Sequence, residues 1–112
     1  MEWMKSLNKA IEFIEDNITE NITCEDIAEH VYLSSFHFQR AFSLFTDLSV
    51  GEYIRNRRLS LAGQELLLGN AKVIDIALKY GYETPEGFSK AFARFHGVTP
   101  NEVKNWFEFG GG

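Results

Sequence analysis

The chain has 112 residues, of which 45% are hydrophobic and ten are phenylalanine, so it is long enough for one compact domain or two very small ones. Its single cysteine, Cys24, excludes an internal disulfide and suits a reducing cytoplasm. The first residues lack the apolar segment of a signal peptide, and no apolar run approaches the roughly 20 residues of a membrane span. We therefore expect a cytoplasmic protein.

The net charge of −5 argues against a nucleic-acid partner, because phosphate neutralisation dominates the affinity of proteins for nucleic acids. The charge is unevenly distributed, however. Residues 1–30 contain eight acidic and two basic residues, a balance of −6, whereas residues 31–112 contain eight acidic and nine basic ones, a balance of +1. A DNA-binding surface in the second part is compatible with this distribution.

Apolar residues recur at helical spacing and strand-like alternation is absent, so the sequence predicts an all-α fold. The first predicted helix covers residues 2–16, with Trp3 packed against its apolar side. That side is formed by Leu7, Ile11, Ile14 and Ile18. Thr23, with Asp26 three residues later, predicts a capping box at the start of a second, short helix.

A tight turn then leads into the stretch Ser34–Phe45, which reads SSFHFQRAFSLF. Residues at i, i+3, i+4 and i+7 predict a buried stripe: Phe38, Ala41, Phe42 and Phe45. The other face carries an aromatic ring, an imidazole, an amide and a guanidinium, from Phe36, His37, Gln39 and Arg40. Gln and Arg match the adenine and guanine edges of the major groove. Two short helices joined by a tight turn form a helix-turn-helix, and we predict that the second helix reads DNA.

The long helix that follows is predicted to run from Val50 to Leu68, with a capping box of Ser49 and Glu52 at its start and Gly69 at its end. At 1.5 Å per residue it would span roughly 28 Å. Successive major grooves on one face of B-DNA lie about 34 Å apart. A rigid connector of this length predicts two reading helices in adjacent grooves of an asymmetric site.

The pattern then repeats. Asp26-Ile27-Ala28 returns as Asp75-Ile76-Ala77, and Arg40-Ala41-Phe42 returns as Lys90-Ala91-Phe92. The offset grows from 49 to 50 residues across the turn, so the second turn is one residue longer. Thr84-Pro85 predicts the start of the second reading helix, and Thr99 with Glu102 caps the last one.

We divide the chain into a first helix-turn-helix subdomain (residues 1–48), a connecting helix (residues 49–69), a second helix-turn-helix subdomain (residues 70–109) and a tail or linker (residues 110–112).

Over residues 5–105 the chain resembles the DNA-binding domain of the AraC/XylS family of bacterial transcriptional regulators. The matching segments are DIAEHVYLSSFHFQRAF, GEYIRNRRLSLA and VIDIALKYGYETPEGFSKAFARFHGVTPNEV. The resemblance implies seven helices, two homeodomain-like helix-turn-helix units and promoter binding that usually activates transcription. Family members often carry a separate sensing or dimerisation domain.

The resemblance also implies which residues face double-stranded DNA. By position, the first reading helix presents Phe36, His37, Gln39 and Arg40, and the second presents Pro85, Glu86, Ser89 and Lys90. Helix N-termini favour anions, so phosphates are expected beside Ser34, Ser35, Thr84 and Gly87. Arg57, in the basic cluster Arg55, Arg57 and Arg58, is a further candidate for phosphate binding.

Several of these residues have an alternative interpretation. Phe36 either contacts thymine methyl groups or packs in the core, and Arg40 either binds guanine or pairs with a surface acid. His37 contacts DNA or is solvated, and Glu86 accepts from cytosine or favours its own helix N-terminus. Arg57 binds phosphate, is solvated or pairs with a glutamate. Tyr32 occupies a turn position where Gly81 stands in the repeat, which predicts strain in the first turn.

Enzymatic chemistry has little support in the sequence. The three histidines are far apart, Cys24 has no neighbouring metal ligand, and a glycine-rich phosphate loop is absent. We expect neither a cofactor nor a metal, and the acidic Glu25 and Asp26 favour an inert thiol at Cys24. The competing interpretation is a helical protein-interaction or ligand-sensing module that keeps the fold without binding DNA. The acidic composition favours that alternative.

Overall fold

The computed structural model of the chain describes residues 2–108, apart from the side chains of residues 2, 107 and 108. Within that part the protein has seven helices and no strand, which confirms the all-α prediction. The helices are α1 (Glu2–Asp16), α2 (Cys24–His30), α3 (Ser35–Thr46), α4 (Val50–Leu68), α5 (Val73–Lys79), α6 (Pro85–His96) and α7 (Pro100–Glu108). None of these described helices is long and apolar enough to cross a bilayer. The predicted tail at residues 110–112 lies outside the described residues.

The chain forms two compact units, residues 1–55 and 56–112, which divide within α4. In the first unit, α1, α2 and α3 pack around Ile14, Ile27 and Phe42, all of them fully buried. The Phe42 ring lies 5.7 Å from the Phe38 ring and 5.4 Å from the Tyr53 ring, the latter edge-on. This aromatic cluster joins α3 to the start of α4.

The second unit repeats this arrangement with equivalent residues. Ile76 and Ala77 are buried as Ile27 and Ala28 are, and the rings of the buried residues Phe88 and Phe92 lie 5.5 Å apart. The turn between α5 and α6 is one residue longer than the turn between α2 and α3, as predicted.

Polar contacts of Leu59 and Glu65 connect α4 to other parts of the second unit. The ring of His96 at the end of α6 places Nε2 2.8 Å from the Leu59 carbonyl oxygen. A Cβ on Gly63 would come within 3.1 Å of that ring, so glycine permits the close packing. The Tyr80 hydroxyl donates a hydrogen bond to Glu65, whose carboxylate lies 2.9 Å from Lys79 Nζ. Burial raises the pKa of Glu65, but these two partners outweigh burial and hold it below its usual value.

The helix starts confirm the predicted caps. Thr23 and Asp26 form a reciprocal capping box, and Pro85 stands in the first turn of α6 with Thr84 as the cap. The Ser49 amide donates to Glu52 at 2.9 Å, and this bond lowers the pKa of the Glu52 carboxyl. Short local motifs therefore set where these helices begin.

Burial of the predicted stripe on α3 is only partly confirmed. Phe38 and Phe42 are buried, but Phe45 is 49% exposed. Phe45 lies in the last turn of α3 and borders Trp3, Ser6 and Leu7 of α1, and Trp3 is itself 39% exposed. The prediction that Phe45 belongs to the buried stripe is therefore wrong.

Both helix-turn-helix turns have the same backbone geometry. The Leu33 amide donates to the Ala28 carbonyl and the Tyr82 amide to the Ala77 carbonyl, each at 2.9 Å, as in a Schellman motif. The residue before each of these amides has positive φ, which is 61° at Tyr32 and 89° at Gly81. The predicted strain at Tyr32 is therefore present, because a side chain disfavours this left-handed conformation.

Replacing Tyr32 with glycine is expected to stabilise the protein by about 0.5–1 kcal/mol, because relief of the left-handed strain exceeds the added entropy of the unfolded chain. Gly81→Ala should destabilise it by about 1 kcal/mol. A Cβ at Gly81 would lie 3.7 Å from Arg58 Nη1, an ordinary contact, so that loss would come from the backbone. Urea titrations of both variants measure the two changes, and equal signs would contradict the explanation.

Candidate nucleic-acid interface

The N-terminus of α3 is held by side-chain hydrogen bonds from its own residues. Ser34 Oγ accepts from the His37 amide at 3.1 Å and lies 2.7 Å from Nδ1 of the same histidine. Gln39 Nε2 donates to Ser35 Oγ at 3.0 Å. These four predicted DNA-facing residues therefore lie together at the N-cap and in the first turns of α3.

The outer face of α3 carries an aromatic ring with a guanidinium above it. Phe36 is 64% exposed, so the interpretation that it packs in the core is wrong. Arg40 Cζ lies 5.6 Å from the centre of the Phe36 ring, within cation–π range. The His37 ring meets the same ring edge-on, with the centroids 5.6 Å apart. Phe36 therefore limits the positions that the Arg40 guanidinium adopts.

An open groove runs along this face. It is bordered by Phe36, His37, Gln39 and Arg40 from α3 and by Trp3 from α1. Trp3 was not among the residues predicted for this surface. Its sequence neighbourhood carries no motif that points to α3, and the contact arises only because α1 packs beside that helix.

The second reading helix, α6, begins with a different set of residues. Thr84 Oγ1 accepts from the Gly87 amide at 3.0 Å, and a Cβ on Gly87 would lie 3.1 Å from that oxygen. Glycine therefore leaves room for the cap. Pro85, Glu86 and Lys90 are exposed, and Ser89 is half-buried. This surface places a carboxylate and an ammonium where α3 has Phe36 and Arg40.

The predicted basic cluster on α4 is split by its helical spacing. Arg55 is exposed and belongs to the first unit, whereas Arg57 and Arg58 are half-buried and belong to the second. Arg57 already interacts with other groups of the chain, so it is not a freely solvated side chain. The predicted DNA-facing residues of α3 thus lie in the first unit, and Arg57 and those of α6 lie in the second.

Side chains suited to metal binding are not clustered in the described part of the chain. Residues 2–108 hold no cluster of three or more His, Cys, Asp or Glu side chains that could bind a metal ion. Burial and the neighbouring Glu25 raise the pKa of the Cys24 thiol. A raised pKa disfavours the reactive thiolate at this position.

Comparison of the sequence with known proteins identifies a matching domain family and several relatives. A family model described as a helix-turn-helix domain matches residues 27–105. The HTH-type transcriptional activator AarP of Providencia stuartii is 38% identical over 95 residues, which cover 85% of this chain and 70% of AarP. The uncharacterized HTH-type transcriptional regulator YbfP of Bacillus subtilis is 36% identical over 108 residues. Those residues cover 96% of this chain but only 37% of YbfP.

Solved structures have the same fold. An AraC-type transcriptional regulator from Chromobacterium violaceum superposes with a TM-score of 0.87 at 26% identity, covering 93% of both chains. The DNA-binding domain of AdpA, solved in complex with a target DNA, has a TM-score of 0.79 at 22% identity over 92% of this chain and 93% of its own. The matching domain model, the relatives and the paired helix-turn-helix units together establish that this chain belongs to the AraC/XylS family of DNA-binding transcriptional regulators.

Proposed function

We propose that this chain binds double-stranded DNA in a sequence-specific manner through α3 and α6, as the promoter-binding part of a bacterial transcriptional activator. The main support for this proposal is that α3 and α6 each have a buried apolar face and an exposed face. Phe38 and Phe42 bury one face of α3, and Phe88 and Phe92 bury one face of α6. The opposite face of each helix carries exposed polar groups near the N-terminus. Helices of this kind enter the major groove with their first turns against the bases.

In the first unit, base reading rests on three side chains of α3. Arg40 would donate two guanidinium N–H bonds to O6 and N7 of one guanine, and Gln39 would bind adenine after turning from Ser35. Phe36 would contact thymine methyl groups, a role that its exposure permits. Phosphates would lie beside His37 and the two serines that precede it, Ser34 and Ser35, because a helix N-terminus attracts anions.

In the second unit, we propose a weaker contribution from α6. Thr84, Pro85 and Gly87 would lie against the DNA backbone. Ser89 would contact a base edge or the backbone, and Lys90 would bind phosphate or guanine. Glu86 either accepts a hydrogen bond from cytosine N4 or serves the helix N-terminus alone. A carboxylate near phosphates is repulsive, so this unit should add less affinity than the first.

The two reading helices would occupy successive major grooves. The connecting helix at residues 49–69 would join the two subdomains, and Arg57 on α4 would make an additional phosphate contact. One chain would then cover an asymmetric site of about two helical turns, or roughly 21 base pairs. An imperfect fit would bend the DNA. Hydroxyl-radical footprinting would report two protected regions about one turn apart, and a single protected region would contradict this arrangement.

We further propose a cytoplasmic, non-catalytic role in a bacterium, since the relatives described above are bacterial regulators. This chain spans 37% of YbfP, which supports a longer protein, and we propose that its remainder includes a sensor domain. The acidic surface of residues 1–30 would contact RNA polymerase. If charge reversal of exposed acids such as Glu12 left promoter activation intact in a transcription assay, the polymerase contact should be abandoned.

Fluorescence anisotropy with the whole chain tests DNA binding against the alternative of a protein-interaction or ligand-sensing module. The probe is a duplex of about 21 base pairs selected by the chain from a random pool, and a scrambled duplex serves as the control. We expect the affinity for the selected duplex to be higher and to fall steeply with salt, since neutralised phosphates release counterions. Equal, weak binding of both duplexes at low salt would favour the alternative.

A further inference from the structure

The helix-turn-helix turn of the first unit contains a tyrosine in the conformation that its repeat assigns to glycine. Tyr32 has a φ of 61°, and its side chain is 91% exposed. The left-handed backbone is strained for a residue with a side chain, and such an exposed ring recovers little of that cost by burial. Residues with strained backbone are often found where a side chain contacts another molecule.

Two lysines border the same part of the surface. Lys5 and Lys9 are the two basic residues of the acidic segment 1–30, and they lie one turn apart on α1. Residues four apart in a helix share a face. Both lysines line one concavity together with Tyr32, Trp3 and Ser6. The positive charge of this acidic segment is therefore concentrated beside the helix-turn-helix turn.

This concavity continues into the proposed DNA-reading face. Trp3 lines both the concavity and the groove bordered by Phe36, Gln39 and Arg40. A helix that reads the major groove brings the adjoining protein surface close to the sugar–phosphate backbone at the groove edge. A DNA backbone at that groove edge would therefore pass near the two lysines beside Trp3.

We propose that Lys5, Lys9 and Tyr32, here called the turn strip, bind phosphates of the DNA backbone that flanks the groove read by α3. The inference rests on the proposed DNA-binding function and extends its contact surface to α1. The two ammonium groups neutralise phosphates, and the Tyr32 hydroxyl donates a hydrogen bond to a phosphate oxygen. Because these contacts are made to the backbone, they add affinity without base discrimination.

The lysines are tested through the salt dependence of binding. Each neutralised phosphate contributes about 0.9 to the slope of log K against log salt concentration, so Lys5→Ala with Lys9→Ala should lower that slope by about 1.8. The affinity should fall by a similar factor for the selected and the scrambled duplex. Lys5→Arg with Lys9→Arg should keep the slope of the unmodified chain. Glu12→Gln changes the charge of the same helix at another exposed position and should leave the slope unaltered.

Tyr32 provides a second, independent measurement, because stability and DNA affinity should change in opposite directions. Tyr32→Gly removes the strain and the hydroxyl, so it should unfold at a higher urea concentration yet bind the duplex roughly three- to tenfold more weakly. Tyr32→Phe retains the ring and should weaken binding by a similar factor. Unchanged affinity in both variants would remove Tyr32 from the strip.

The outcomes separate this inference from the function on which it rests. If the unmodified chain binds DNA with a steep salt dependence and the double alanine variant has the same slope, the turn strip is refuted while the proposed function stands. If the unmodified chain shows no salt-dependent binding to either duplex, both proposals are overturned. A lower slope in the alanine variant, restored by arginine, supports the strip.

Discussion

Phe42→Ala is expected to destabilise the first unit by about 3–5 kcal/mol. The ring is fully buried and touches two further aromatic rings, those of Phe38 and Tyr53, so its removal leaves a cavity and breaks both contacts. Small units of this size, residues 1–55, have stabilities near the lower end of the usual 5–15 kcal/mol. The substitution should therefore leave much of α1, α2 and α3 without a stable core.

Hydrogen exchange resolved by residue, together with urea unfolding, measures this loss. Phe45→Ala is the matched control, because it removes the same ring from the same helix at a half-exposed position, and it should cost less than about 1 kcal/mol. Phe92→Ala tests the equivalent buried position of the repeat, where the ring lies 4.2 Å from that of His96. A cost below 1 kcal/mol for Phe42→Ala would contradict the core described here.

Helix positions could be predicted from the sequence because local chemistry determines them. Ser49 and Glu52 lie three residues apart and bond each other's backbone, so the start of α4 at Val50 needs no tertiary information. The repeated pairs Ile27-Ala28 and Ile76-Ala77 are buried in both units as their spacing indicated. Helical periodicity and capping motifs involve residues only a few positions apart, so both can be recognised directly in the sequence.

The surface of the candidate site was less predictable, since it depends on which helices end beside one another. Phe45 continues the apolar stripe of α3, yet it is half exposed at the end of that helix, beside Trp3, Ser6 and Leu7 of α1. The approach of Trp3 to the reading face likewise arises from tertiary packing. Spacing placed Phe36 and Arg40 on one face, but it did not specify that the guanidinium lies over the ring.

Arg40→Ala is expected to lower the affinity for the selected duplex about 10- to 100-fold, because a bidentate contact to guanine contributes about 1–3 kcal/mol. The affinity for a scrambled duplex should fall much less. The exposed position of Arg40 on α3 means that the variant should keep the fold, unlike Phe42→Ala. Lys90→Ala should have a smaller effect, since the carboxylate of Glu86 stands on the same face of α6.

Arg40→Lys and Phe36→Ala distinguish base reading from simple charge attraction. Lysine keeps the charge but loses the planar fork, so it should preserve the salt slope while losing discrimination between the two duplexes. The Phe36 ring holds the guanidinium at 5.6 Å, so the double variant with Arg40→Ala should show a coupling of about 0.5–1 kcal/mol. If Arg40→Ala weakened both duplexes equally, Arg40 would bind phosphate rather than guanine. If it weakened neither, α3 would not be the reading helix, and the division of that helix into a buried and a DNA-facing side would need another explanation.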